Sequence, residues 1–199
     1  MLIAVERLLV RVRQVPTRAD ELIALGTRVR EMRREQPSEQ ERAVATEIRS
    51  VKRRVLTALS HVTSCATCAT GKRAPRGAFA GGDCCSGITS DLFSEEQLAP
   101  LVQAGTTPRK LRAPRTTHAG CAFRGSTGCT LDADDRPARC IHYTCWGLRN
   151  ELRKRGELVA MDAQLDELKA LMEQHTELRK VRLEDELIAP LEAFVDANR

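Results

Sequence analysis

The sequence predicts a mainly α-helical protein, in which a helical hairpin and C-terminal helices frame a loop-rich cysteine cluster organised by metal. Three observations carry that expectation. Apolar residues recur at helical spacing before residue 62 and again after residue 147. Aromatic residues make up only 3% of the chain, so its core must be built from Leu, Val, Ile, Ala and Met. That palette suits packed helices better than a β-sandwich. All eight cysteines fall between Cys65 and Cys145, in a stretch rich in glycine and proline. The stretches 1–62, 63–146 and 147–199 are expected to form one cooperative unit, because 199 residues fit one domain or one core with extensions.

In the first stretch Leu2, Val5, Leu8, Leu9 and Val12 recur at helical spacing up to Pro16. A second segment opens at Thr17, with Asp20 three residues later in the arrangement of a capping box. Its stripe is Leu22, Ile23, Leu25, Val29 and Met32. Pro37 and Ser38 end it and cap a third segment, whose face is Val44, Ile48, Val51, Val55 and Leu59. A long helical hairpin is the simplest arrangement of these segments.

The last stretch opens near Trp146. Leu158, Met161, Leu165, Leu168 and Met172 alternate steps of three and four, the seam of a short coiled coil. Such a stripe is far more often core than a cofactor pocket. Residues 182–197 form a final amphipathic segment, which Pro190 is expected to kink or divide.

The middle stretch changes character. Nine glycines and five prolines interrupt residues 63–145, and only Ser90 to Ala104 has a helical look, with Ser94 as its cap. A loop-rich stretch of this length is poorly held by a hydrophobic core of its own. Metal coordination can supply folding free energy directly where apolar burial cannot.

The candidate ligands are Cys65 and Cys68 in a C-x-x-C, the vicinal pair Cys84 and Cys85, and then Cys121, Cys129, Cys140 and Cys145. A C-x-x-C lets two thiolates reach one ion from a tight turn. Cys65 follows a predicted helix, which is not the strand–helix context of a thioredoxin-like site. Buried cysteines acting as small hydrophobes would lie on helix faces, and these do not. Arg136, Pro137, Cys140 and Cys145 then close the set as RPARCIHYTC.

The order C-x-x-C, CC, Cys-Ala-Phe at Cys121, Cys129 and R-P-x-x-C with a further cysteine five residues on resembles the YkgJ-type cysteine-cluster family, also named CxxCxxCC. That family is described as a zinc- or iron-chelating domain. The resemblance covers roughly residues 65–146 and leaves both helical ends outside it. It implies a metal site formed by the eight cysteines. Two departures stand out: Ala69 to Asp83 separates the C-x-x-C from the CC, and Ile141 occupies a position often basic in the family. A related cluster occurs in flagellin lysine methylases, and only the metal site is carried over from that likeness.

Structural zinc takes four ligands in pairs of short knuckles, and only one such pair exists here. Vicinal thiolates fit one tetrahedral ion poorly, and irregular spacing suits a multi-iron cluster. The balance leans slightly to an iron–sulfur cluster, and zinc stays open beside it. His118 and His142 stand near cysteines and are expected to be loop histidines or hydrogen-bond donors to the ligands more than ligands themselves. Arg136 and Arg139 are expected to donate to sulfur or balance thiolate charge, with a turn-fixing salt bridge to Asp134 or Asp135 as the alternative for Arg136. Trp146 is expected to shield the site or pack the helix start.

The net charge of +5 is mild. Residues 1–60 carry 13 basic and 8 acidic side chains, and residues 147–199 carry 9 and 12, so the two ends are expected to pack together. Arg109, Lys110, Arg112 and Arg115 lie among prolines with no interleaved aromatic, which favours a solvated loop over a nucleic-acid patch. No run approaches the roughly 20 apolar residues of a membrane span, and charged residues interrupt Met1 to Val10 as a signal peptide. The cytoplasm, where thiols stay reduced, is the expected compartment. No catalytic constellation is visible. The expected role is a metal-binding protein with helices available for a protein partner. An iron–sulfur redox or metal-dependent enzyme and a zinc or iron carrier are the alternatives.

Overall fold

A computed structural model describes residues 17–64, 89–114, 121–125 and 128–197. The Leu2–Val12 stripe, Cys65, Cys68, Cys84, Cys85, Arg115 and His118 lie outside the described residues.

Helix α1 (Arg18–Met32) starts at a capping box, as its sequence predicts: Thr17 Oγ1 accepts from the Asp20 N–H, and Asp20 accepts from the Thr17 N–H. Helix α2 (Glu39–Ala58) starts at a second one, formed by Ser38 and Glu41. Two short helices follow, α3 (Thr89–Leu92) and α4 (Glu95–Gln103). Ser94 is the N-cap of α4 but makes no side-chain capping bond, and Pro100 lies buried inside the helix. A two-stranded antiparallel hairpin, β1 (Arg124–Gly125) and β2 (Gly128–Cys129), pairs Arg124 with Cys129. A single 3₁₀ turn (Ala133–Asp135) leads to α5 (Ala138–His142), α6 (Trp146–Lys154) and α7 (Leu158–Ala197).

The helices pack around two apolar clusters. In one, Leu25, Val29 and Met32 of α1 meet Phe93, Leu98 and Phe123, whose neighbours include Cys121. The Phe93 and Phe123 rings tilt at 58° with centroids 5.3 Å apart, a favourable aromatic geometry. In the other, Ile48, Val51 and Val55 of α2 meet Leu148 and Leu152 of α6 and the Met161, Leu165 and Leu168 seam of α7. Each such side chain contributes on the order of 2 kcal/mol on burial. The expected α7 seam is therefore the one that packs. The helices α1 and α2, expected as a hairpin, bury their stripes in different clusters, and the middle stretch supplies side chains to both.

Three expectations differ in detail. Ile23 is 67% exposed, because the stripe that packs steps from Leu22 to Leu25 to Val29 and leaves Ile23 on the outer face. Trp146 is 79% exposed and so shields nothing among the described residues. Helix α7 is not divided at Pro190 but continues to Ala197. All described side chains from Leu183 to Pro190 are exposed, so no core packing is disturbed by the missing N–H.

Candidate metal centre

The four described cysteines are free thiols placed by short local structure. Cys121 stands at the entry to the hairpin, buried, and its carbonyl accepts the Arg124 N–H. Burial pushes the Cys121 thiol above its ordinary value, with a smaller push from Cys129 across the hairpin. Hydrogen bonding from the backbone of Phe123 and from the Thr89 hydroxyl opposes that push. Thr89 is itself buried and accepts the Ala122 N–H at 3.0 Å, so its hydroxyl bridges α3 and the cysteine turn.

Cys129 is half-buried on β2, and its carbonyl accepts from Arg136 Nη2 at 3.3 Å. Arg136 Nε donates to the Leu131 carbonyl at 2.8 Å. Arg136 thus fixes the turn after β2, through backbone carbonyls and not through Asp134 or Asp135. Those acids are used elsewhere: Arg53 grips Asp134 at 2.6 Å, and Thr106 donates to buried Asp135 at 2.7 Å.

Cys140 lies on α5 and packs against the α1-side cluster, as Cys121 and Cys129 do. Against the sequence expectation, these cysteines do sit as small apolar side chains against the core, because the middle stretch folds onto the helices instead of standing apart from them. Close to it is a group the sequence reading passed over. Lys52 is 1% exposed on α2, donates to the Asp134 carbonyl at 2.8 Å, and feels the Cys140 thiolate. Burial pulls its ammonium down to about 7. Its only signal in sequence was a basic residue beside Val51, within the apolar face of α2.

Cys145 caps α6: its Sγ accepts from the Leu148 N–H at 3.5 Å. Helix N-termini favour anionic groups, a thiolate included. Cys145 packs with the α2–α7 cluster, so the described cysteines divide between the two clusters, three and one. Among the described residues no three His, Cys, Asp or Glu side chains form a group able to hold a metal ion.

The residues that flank 65–88 are both anchored to cysteine-bearing elements. Ser64 donates through its N–H (3.1 Å) to Glu151, on the helix that Cys145 caps, and its hydroxyl does the same. The Ser64 hydroxyl and the Thr63 N–H hold the Glu151 carboxyl down to about 2. At the other flank Thr89 sits on the Cys121 sulfur. Of the histidines, His61 pairs with Glu157 at 2.8 Å, His175 is buried in α7, and His142 is exposed in a cleft beside α5. None of these three meets two cysteines.

Cysteine sulfur is the donor that soft or borderline metals select, but the four described cysteines are not gathered at one point among the described residues. Among the described helices none is long and apolar enough to cross a membrane. No family model matches the chain, and no curated protein or solved structure matches it either.

Proposed function

We propose that this chain is a metal-binding protein whose cysteine thiolates hold an iron–sulfur cluster or zinc, with its helices as the frame. One observation carries the reading: at the start of α6 the Leu148 backbone N–H donates to the Cys145 sulfur at 3.5 Å. Such a donor favours the thiolate, the form in which cysteine binds metal. The anchoring of Ser64 and Thr89 to elements carrying Cys145 and Cys121 adds support, because Cys65 and Cys85 lie one and four residues from those anchors. The resemblance of residues 65–146 to the YkgJ-type cluster points the same way.

In this reading Cys65, Cys68, Cys84, Cys85, Cys121, Cys129, Cys140 and Cys145 are the ligand pool. A bound metal would keep its thiols deprotonated, overriding the upward push on Cys121. Arg136 holds the Cys129 turn, and Thr89 holds the Cys121 turn. The test is anaerobic purification followed by elemental analysis, acid-labile sulfide determination and a visible spectrum. Iron with sulfide, or zinc, in stoichiometric amount is expected, and lowered in Cys121→Ser and Cys145→Ser. A chain purified without metal, whose melting temperature does not respond to iron plus sulfide or to zinc, would overturn the reading.

A further inference from the structure

A cleft of about 480 Å³ opens between α4, α5 and α7. Its floor is apolar, from Ala138, Leu168 and Met172. Its polar wall consists of Arg139, His142, Tyr143 and Lys169, with Gln97 behind them. No carboxylate lines it. In a chain with 27 acidic residues among 199, a concavity with two permanent cations and no acid in its lining is a chemical bias.

The cations are placed rather than neutralised. Arg139 is held from both ends of its residue: its backbone N–H donates to Gln97 Oε1 at 2.9 Å, and its guanidinium Nη1 donates to the Asp91 carbonyl at 3.1 Å. A carbonyl partner orients the guanidinium without cancelling its charge, leaving further N–H donors of the fork for an anion. Lys169 pairs with Glu173 at 3.8 Å, with both side chains more than 60% exposed, a pairing worth little in water. Leu168, at the floor, is fully buried in the α2–α7 cluster and Met172 packs against it, so the floor belongs to the rigid core.

We propose that this cleft binds a small molecule with an anionic head, carboxylate or phosphate, and an apolar body. The head would lie between Arg139 and Lys169, beside His142 and Tyr143, and the body against Met172, the half-buried apolar residue of the lining. The cleft is open to solvent, and its lining combines apolar surface with a few polar groups, the composition of small-ligand sites. Arginine's planar fork suits carboxylate and phosphate oxygens. The proposal is separate from metal binding: Cys140 packs against the other cluster, and helices held by apolar contacts form the cleft.

The experiment titrates the isotopically labelled full-length chain with benzyl phosphate, benzyl alcohol and inorganic phosphate, following backbone amide shifts. Benzyl phosphate is expected to saturate shifts at Arg139, His142 and Lys169, at least tenfold more tightly than either fragment. In Arg139→Gln/Lys169→Gln, both exposed changes, its affinity should fall at least tenfold while amides remote from the cleft keep their positions. Benzoate in place of benzyl phosphate tells which head group is preferred, and saturable binding of either supports the proposal. Equal binding of benzyl alcohol would overturn the anionic head, and equal binding of inorganic phosphate would overturn the apolar body. Shifts centred elsewhere on the chain, or no saturation with any probe, would overturn the site itself. The comparison among ligands needs no variant, so it decides even if the double substitution fails to fold.

Discussion

His175 sits at the point where the α7 seam turns from apolar to charged. Its Nε2 lies 2.7 Å from Gln103 Oε1, and Gln103 Nε2 in turn donates to Glu41 Oε2 at 3.1 Å. An amide that donates through nitrogen to a carboxylate presents its oxygen to the ring, so Nε2 carries the proton in neutral His175. Burial draws the imidazole from 6.5 down to about 4, against the pull of Glu41 and with the help of Arg179 and Arg182. Between pH 6.5 and 4 the unfolded chain therefore binds a proton at His175 that the folded chain refuses. Stability is full above pH 6.5 and falls as pH drops through that window, by up to about 3 kcal/mol. Urea unfolding at pH 7 and pH 4.5 checks this: His175→Gln should lose less stability over that range than the parent protein. An equal loss would contradict the assignment. The acid of the group, Glu41, is fully buried and accepts from Arg182 Nε at 2.7 Å. Those bonds, with the Ser38 N–H, hold its carboxyl below the ordinary range despite burial. Glu41→Gln leaves Arg182 with Glu35 and Glu186, so the cost should be about 3 kcal/mol, the lower end for a broken buried pair. Chemical denaturation at pH 7 measures it. Neither Glu41 nor His175 was legible as a partner from sequence, because a charged residue on a helix reads as a solvated face until the element packed against it is known.

Among the elements, the starts and stops were written most clearly. Thr17 with Asp20 gave the first capping box in advance; Ser38 was read as a cap, and the Glu41 carboxylate completes its box while also serving the buried network. The stops depend on glycine. Gly105 (φ 100) and Gly156 (φ 74) close α4 and α6, and in each case the next N–H reaches back to the helix, Thr106 to Leu101 and Glu157 to Leu152. This is the Schellman pattern, in which a left-handed residue satisfies the last carbonyls. A Cβ at either glycine would meet nothing within 4 Å, so substitution costs backbone strain alone, about 1 kcal/mol. Thermal melts of Gly105→Ala and Gly156→Ala should each show that loss, and their sum should be additive because the two turns share no partner. The seam of α7 was legible further than it was read. Continuing Leu158, Met161, Leu165, Leu168 and Met172 by the same steps lands on His175, Arg179 and Arg182, the three side chains that meet Gln103, Glu35, Glu95 and Glu41. The periodicity was present, and only the change of chemistry along it hid it. Of the cysteine turns, spacing indicated Cys121 and Cys145, whereas the Thr89 hydroxyl on Cys121 has no pattern in sequence that could have announced it.

At the scale of the molecule, the charge asymmetry between the two ends gave the right neighbours and an incomplete polarity. Helices α2 and α7 do pack, and Arg54 of α2 meets Glu167 of α7 at 2.6 Å as the net charges imply. The denser network runs the other way, with Arg179 and Arg182 of α7 reaching Glu35 and Glu41 beside α2. A segment's net charge averages over all its faces, and packing uses one of them. The same seam explains where the body ends. Past Arg182 the steps of three and four fall on Glu186 and Ala189, whereas the apolar residues Leu183, Leu187 and Ile188 lie off the seam and are exposed, Leu187 at 72%. Helix α7 is about 60 Å long at 1.5 Å per residue, and among the described side chains those that join the α2–α7 cluster run from Leu158 to Met172. Removing residues 187–199 should therefore leave the fold nearly as stable. The melting temperature should move by less than about 2 °C, given that 1 kcal/mol corresponds to about 2–4 °C in a chain of this size. Far-ultraviolet circular dichroism should fall in proportion to the helix removed, with no change in the cooperativity of the melt. A drop of about 5 °C or more would mean that the outer turns of α7 stabilise the body, and that its seam does not end at Arg182.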